Sequence, residues 1–306
     1  METIAFHSKG KFLLSGEYFV LKGAKALAIP LRLGQSLVIS QSKDEEFIKW
    51  STYVKRDKWF WVNFNNALEI KESSDVNKAL SLQAILRAAK KINPSFLSKD
   101  ENLDVKSYID FDINWGLGSS SSLISNIAYW AKVDPFTLHF AVSNGSGYDI
   151  ACARSNFPLM YQQQHQKAEF REILFNPDFK SHLSFVYTGR KQDSKNSVIH
   201  FNKNAKIEDK TIATISNISE EMIQCRSLDT FMTLMGEHEQ IVAETLGEAT
   251  VKQKSFPDFN GEIKSMGAWG GDFLLVASRD SFEQTQAYFK KKGLEVVIRF
   301  RDIVFE

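Results

Sequence analysis

The sequence predicts an α+β fold with a β-rich amino-terminal third and a mixed carboxyl-terminal half. Runs rich in Phe, Leu, Ile, Val and Trp, separated by short turns, occupy the first third. Apolar residues recur at helical spacing in several later segments. These later helices alternate with short apolar runs, which is typical of an α+β layer. The length of 306 residues suggests about two domains, at roughly 150 residues each.

The first half contains predicted strands followed by two predicted helices. A helix is expected over 78–92, because apolar residues there recur at steps of three and four. A second helix is expected over 119–131, directly after Gly118 and with serines at its start. The predicted strands are 11–21, 27–40, 58–64 and 107–113.

Predicted helices and predicted strands alternate in the second half of the sequence. Helices are predicted at about 211–225, at 228–246 and near 281–292. The predicted strands are Leu183–Tyr187, Phe273–Ala277 and Leu294–Phe305.

Charge and composition exclude several classes of protein. The 38 basic and 37 acidic residues give a net charge of +1, without the basic excess of a nucleic-acid scaffold. Charged residues interrupt the apolar run near the amino terminus, so no signal peptide and a cytoplasmic location are expected. Residues 113–131 lack charge but hold five serines and two asparagines, which argues against a membrane span. The cysteine and histidine spacing predicts neither structural zinc nor disulfides.

A Gly/Ser loop from Trp115 to Ser122 carries the clearest chemical signal. It joins a predicted strand to a predicted amphipathic helix, where glycine allows close backbone approach and the first helical amides lack internal partners. The positive end of the helix dipole adds to this, so the loop is suited to a polyphosphate. The alternative is a flexible linker. No Walker A motif is present, and a dinucleotide fingerprint is only nearly matched because its third glycine is missing.

Three other segments bear glycine next to chemically useful residues. Residues 8–18 and 264–273 could each be ordinary turns, and Asp149 in 144–151 could simply cap a helix. In this order along the chain, the four segments resemble the GHMP kinases, the superfamily of galactokinase, homoserine kinase, mevalonate kinase and phosphomevalonate kinase. The resemblance extends from about residue 8 to residue 277. Within the superfamily, the sequences Gly16-Glu17-Tyr18 and Gly270-Gly271-Asp272 look most like bacterial phosphomevalonate kinases, and Gly147-Tyr148-Asp149-Ile150-Ala151 looks like a bacterial subgroup signature.

The resemblance implies a two-domain fold and a kinase activity. An amino-terminal domain of the ribosomal-protein-S5 domain 2 type, residues 1–170, would precede a ferredoxin-like domain, residues 171–306. The implied cofactors are ATP and Mg²⁺. The expected partner is a small-molecule substrate rather than nucleic acid or membrane, and the chain is expected to be a monomer or homodimer.

The same resemblance assigns roles to individual residues. Asp149 would be the catalytic aspartate that accepts the proton of the acceptor hydroxyl, and Lys11 would keep it ionised and offset phosphate charge. Ser120 would help to bind Mg²⁺. The residues implied to bind the nucleotide phosphates are Gly116, Leu117, Gly118, Ser119, Ser120 and Ser121. Those implied or suggested to bind the acceptor are Glu17, Ser146, Gly147, Arg190, Lys191, Gly267, Ala268 and Gly270.

Two departures from the family pattern leave alternatives open. The segment between Gly118 and Gly145 is shorter than usual, and its only acid is Asp134, which either replaces the family's magnesium-binding glutamate or caps a helix. Trp269 stands where the family usually has a small residue. The leading hypothesis is an ATP-dependent small-molecule kinase. Phosphomevalonate is the first candidate acceptor, mevalonate is the second, and a sugar is the third. The contrasting hypothesis is a catalytically silent, nucleotide-binding relative that senses a metabolite.

Overall fold

The computed structural model describes residues 3–42, 47–98, 102–164, 167–190, 201, 207–267, 269 and 271–304. They form two compact units, each assembled from several chain segments. Unit 1 comprises Met1–Gly10, Leu33–Ile113 and Leu117–Arg154. Unit 2 comprises Lys11–Arg32, Asn114–Gly116 and Ser155–Glu306. The predicted domains 1–170 and 171–306 stay a prediction.

Unit 1 contains a mixed sheet with strand order β5-β4-β3-β6-β2. Strands β3 and β6 pair in parallel, from Ile48 opposite Leu103 to Val54 opposite Ile109, whereas the other neighbours are antiparallel. Strand β1 pairs with β2, and both strands continue into unit 2. The strands are β1 (Ile4–Leu13), β2 (Ala26–Gln41), β3 (Ile48–Val54), β4 (Asp57–Phe64), β5 (Ile70–Ser73) and β6 (Leu103–Ile109).

The helices of unit 1 bury their apolar faces in one core. The core includes the fully buried side chains of Trp50, Phe64, Leu86 and Ile127. The helices are α1 (Val76–Ile92), α2 (Ser119–Trp130), α3 (Pro135–Val142) and α4 (Tyr148–Arg154). The positions of α1 and α2 agree with the helices predicted at 78–92 and 119–131, and α3 begins directly after Asp134, where a capped helix was one of the two alternatives.

Unit 2 contains an antiparallel four-stranded sheet with strand order β10-β11-β9-β12. In chain order, helices separate β9 from β10 and β11 from β12, which is the βαββαβ arrangement of ferredoxin-like domains. In this unit β2 also pairs with β7, and β7 pairs with β8. The strands are β7 (Leu159–Gln164), β8 (Lys167–Glu172), β9 (Leu183–Tyr187), β10 (Glu262–Met266), β11 (Phe273–Ala277) and β12 (Val297–Arg299).

Three of the helices of unit 2 lie where helices were predicted, at about 211–225, at 228–246 and near 281–292. The helices of unit 2 are α5 (Asp209–Gln224), α6 (Leu228–Leu246), α7 (Val251–Ser255), α8 (Phe282–Lys291) and α9 (Phe300–Ile303), with 3-10 helices at Phe19–Lys22 and Lys180–His182. Among the residues that the structure describes, no helix has both the length and the apolar character needed to cross a membrane.

Three predicted strands were wrong in their bounds. The strand predicted at 11–21 ends at Leu13, because the chain turns at Gly16, where φ is 89°, and enters a 3-10 helix. The strand predicted at 107–113 is β6, which begins and ends four residues earlier, at Leu103 and Ile109. Its buried positions include the polar Ser107, so no continuous apolar run marks where the strand begins. In the strand predicted at 294–305, the sheet ends at Arg299, and Phe300 turns inward to stack on Phe185.

Candidate functional site

The predicted phosphate-binding loop ends at the start of α2. Gly116 and Gly118 both have positive φ, 64° and 92°, and Gly118 is the residue that caps the helix. The first turn of α2 contains no acidic side chain, and Ser120 on it is exposed. The unpaired amides of a helix start attract anions. The structure thus starts α2 where the sequence predicted a phosphate site, and the binding of phosphate there stays a prediction.

In unit 1 the structure brings together Ser121 of this loop and Asp149. Asp149 lies in the first turn of α4, and its Oδ2 accepts a hydrogen bond from the Ser121 hydroxyl. Its Oδ1 accepts one from the amide of Ile150 at 3.0 Å. Ser121 itself is only 6% exposed. A single hydrogen bond thus joins the predicted catalytic carboxylate to the predicted phosphate-binding turn.

In unit 2 the structure brings together Lys11, Gly116 and Asp272. The Lys11 Nζ donates to the carbonyl oxygen of Gly116 at 2.9 Å. A Cβ atom placed on Gly116 would lie 1.8 Å from Asp272 Oδ2, so only glycine fits against this carboxylate. The sequence analysis quoted Asp272 as the end of the third glycine motif but gave it no role. The carboxylate that directly follows two glycines is the sequence signal that could have indicated a site role for Asp272.

Glu17 lies in a buried group of ionisable side chains in unit 2. The Lys264 Nζ donates to Glu17 Oε1 and to the carbonyl oxygen of Ser265, and both charged side chains are at most 3% exposed. Burial raises the pKa of Glu17, and the ammonium group of Lys264 opposes that rise. The amide of Gly267 also donates to Glu17. The first and third glycine motifs are therefore connected through Glu17.

Two further buried groups from helix α6 complete this arrangement. The amide of Gly16 donates to His238 Nε2 at 2.8 Å, and burial lowers the pKa of His238 well below its ordinary value. The imidazole is consequently neutral. The amide of Ser265 donates to Glu239 Oε2 at 3.1 Å, and burial raises the pKa of Glu239 to about 7. Sequence analysis gave no site role to His238, Glu239 or Lys264. The helical spacing of 228–246 puts His238 on the apolar face, but nothing in the local pattern shows that Glu239 and Lys264 are buried.

The predicted acceptor-binding residues lie in different surroundings. Ser146 and Gly147 are buried in the turn before α4, and Gly147 has a φ of 85°. Gly267 has a φ of 74°, with no described atom within 4 Å of the place where its Cβ would lie, and Arg190 is exposed in the segment that follows β9. Lys191, Ala268 and Gly270 lie outside the described residues. Lys11 and Asp149 belong to different units, so their predicted meeting at one phosphate stays a prediction.

Asp134 caps a helix. Its Oδ1 accepts hydrogen bonds from the Thr137 amide at 2.7 Å and from the Thr137 hydroxyl at 2.9 Å, which is the geometry of an N-cap residue of α3. Within the described ranges, no group of three or more His, Cys, Asp or Glu side chains could hold a metal ion. Magnesium bound with a nucleotide takes several of its ligands from phosphate and water.

Comparisons with solved structures show the fold. The chain resembles L. major mevalonate kinase in complex with R-mevalonate, with a TM-score of 0.70 and 15% identity over 97% of this chain and 95% of that one. It also resembles Streptococcus pneumoniae phosphomevalonate kinase in complex with phosphomevalonate and AMPPNP, with a TM-score of 0.70 and 16% identity over 97% and 99% of the chains. The chain has the GHMP kinase fold.

Other comparisons extend or limit this result. Lactococcus lactis galactokinase complexed with galactose has the same fold, with a TM-score of 0.62 and 12% identity over 94% of this chain and 88% of that one. No protein-family model and no curated protein matches the sequence. The fold confirms the GHMP resemblance predicted from the four motifs and the α+β class predicted from apolar runs and helical periodicity.

Proposed function

We propose that this GHMP-fold protein is an ATP-dependent small-molecule kinase. Phosphomevalonate is the first candidate for its acceptor and mevalonate is the second, since solved structures with this fold include kinases bound to each of these molecules. A sugar is the third candidate, in view of the galactokinase structure. The observation that carries the proposal is the hydrogen bond between Ser121 and Asp149, which joins an anion-binding helix start to a carboxylate.

Phosphoryl transfer needs alignment and charge neutralisation more than covalent chemistry. The amides of Gly118 to Ser121 would hold phosphate oxygens, and the exposed hydroxyl of Ser120 would bind Mg²⁺. Bound ATP and Mg²⁺ supply the phosphoryl group and charge neutralisation. Asp149 orients the acceptor hydroxyl and accepts its proton, which requires an ionised carboxylate within hydrogen-bond reach.

Lys11 supplies positive charge in this proposal. Its ammonium group is held against the Gly116 carbonyl and contributes positive charge beside the phosphate-binding loop. Gly116 permits this arrangement because it has no side chain, and the Asp272 carboxylate lies where a Cβ atom would be.

The test measures ADP release with phosphomevalonate, mevalonate and a small sugar panel. Wild-type protein is compared with Asp149→Asn and with Asp209→Asn, a matched control that also changes an aspartate in the first turn of a helix. We expect turnover of one acceptor, a loss of about 10²- to 10⁴-fold in kcat for Asp149→Asn, and no loss for the control. Turnover insensitive to Asp149→Asn would remove this residue from the mechanism. Binding of Mg-ATP without turnover of any acceptor would favour the sensor hypothesis.

A further inference from the structure

Helix α4 is attached to helix α2 at both of its ends. Asp149 near its start accepts a hydrogen bond from Ser121, and Arg154 at its end binds Ser125, one turn further along α2. Asp149 and Arg154 are five residues apart, about 7.5 Å along a helix axis at 1.5 Å per residue. A helix as short as Tyr148–Arg154 is not stable alone, so its orientation depends on such contacts.

The guanidinium group of Arg154 makes four hydrogen bonds. Its Nε donates to Ser125 Oγ at 3.0 Å, and its Nη2 donates to the Ser125 carbonyl at 3.2 Å and to Asn126 Oδ1 at 3.4 Å. Its Nη1 donates to the His7 carbonyl at 3.1 Å. The group also lies over the ring of Tyr129, 3.4 Å from the centroid, a cation–π contact. The planar, permanently charged fork of arginine suits such multiple contacts, and lysine cannot reproduce them.

The part of α2 that receives Arg154 is itself fixed to the sheet of unit 1. The fully buried Asn126 accepts from the Ser8 hydroxyl at 2.7 Å and donates to the carbonyl of Gln35 at 2.9 Å. The Ser122 hydroxyl donates to Gln35 Oε1 at 2.7 Å. Buried polar networks whose members are paired make an interior rigid. Arg154 therefore connects α4 to a rigid surface.

We propose that Arg154 is a positioning residue for Asp149. By anchoring the end of α4 to α2, it sets the direction of the helix and hence the place of the Asp149 carboxylate relative to the phosphate-binding turn Ser119–Ser121. The proposal rests on the proposed kinase function, in which Asp149 must align an acceptor hydroxyl. Misplacing a reacting group by about 1 Å can cost about a hundredfold in rate.

The test uses Arg154→Met, Arg154→Lys and a control, Arg87→Met. Arg87 lies on α1 of the same unit and donates to a carbonyl oxygen, that of Leu68. We expect kcat to fall about tenfold to hundredfold in Arg154→Met and less in Arg154→Lys, with KM for Mg-ATP within about twofold of wild type. The control should keep the wild-type kcat. An unchanged kcat in Arg154→Met, or a loss that appears only as a higher KM, would overturn the proposal.

Hydrogen exchange separates this proposal from the proposed function. Amides of Tyr148–Arg154 should exchange at least tenfold faster in Arg154→Met, whereas those of α1 should not change. If wild-type protein phosphorylates no acceptor, the proposed function fails, and unchanged exchange in α4 would then independently refute the anchoring role of Arg154. If Arg154→Met does not fold, Ser125→Ala replaces it, because this variant removes only the acceptor of the Arg154 Nε hydrogen bond.

Discussion

Replacing Glu239 with glutamine should stabilise the protein at alkaline pH and leave its stability unchanged near pH 4.5. Glu239 is 2% exposed, and its Oε1 has no hydrogen-bond partner among the described residues. Burial raises its pKa from 4.5 to about 7, against the opposing charge of Lys264, while Glu17 adds to the rise. Its folded-state carboxyl thus keeps a proton at pH values where the unfolded chain has lost it.

The size of the effect follows from the pKa. At 1.36 kcal/mol for each pH unit, a rise from 4.5 to about 7 corresponds to about 3 kcal/mol. Stability falls by this amount as pH rises from 4.5 to 7, because the folded state then binds more protons than the unfolded state. Glutamine does not titrate, and its amide oxygen can still accept from the Ser265 amide. The variant should therefore exceed wild type by up to about 3 kcal/mol at pH 8.

The assay is urea unfolding of the two proteins at pH 5, 6, 7 and 8, followed by circular dichroism. Glu237→Gln is the matched control, because Glu237 is an exposed glutamate on the same helix. His238 lowers stability as pH falls below 6.5, since burial lowers its pKa, but this contribution is common to all three proteins. A difference between Glu239→Gln and wild type that stays constant from pH 5 to 8 would refute the reasoning.

Two further predictions concern glycine and the helix cap. Gly116→Ala should weaken Mg-ATP binding and lower the melting temperature, because its Cβ would meet Asp272 Oδ2. Gly267→Ala, at a similar φ but with no described atom within 4 Å of its Cβ, should show only the backbone cost of about 1–2 kcal/mol. Equal losses in calorimetry and titration with Mg-ATP would contradict this. Asp134→Asn should keep both stability and magnesium-dependent activity, since asparagine caps helices as well as aspartate, whereas Asp134→Ala should cost about 1 kcal/mol in thermal unfolding. Loss of magnesium-dependent activity in Asp134→Asn, with stability unchanged, would show that the Asp134 carboxylate binds the metal.

Local patterns predicted the regular elements with strong periodicity. Helix α6 has the predicted bounds 228–246, and β9 and β11 match the strands predicted at 183–187 and 273–277. Each of these segments has a continuous apolar run or a clear helical face. Strands β7, β8 and β10 were not predicted, because polar residues and a buried lysine interrupt their apolar pattern.

The parts of the candidate site that depend on neighbouring residues were predictable from the sequence. The Gly/Ser run predicted a helix that starts directly after Gly118, and the order of four glycine segments predicted the GHMP fold. The partners of those residues were not predictable. Lys264 and Glu17 are 247 residues apart, and nothing local indicates that either is buried.

By itself, the amino-acid sequence determined the main helices, the glycine turn that begins α2 and the family resemblance, because periodicity, turn chemistry and motif order depend on neighbouring residues. Only the tertiary structure decided that Arg154 holds α4 against α2. It also decided that Glu17, Lys264, His238 and Glu239 share one buried region. Such long-range pairings arise when packing removes polar groups from water, since buried charges then require partners that the local sequence does not specify.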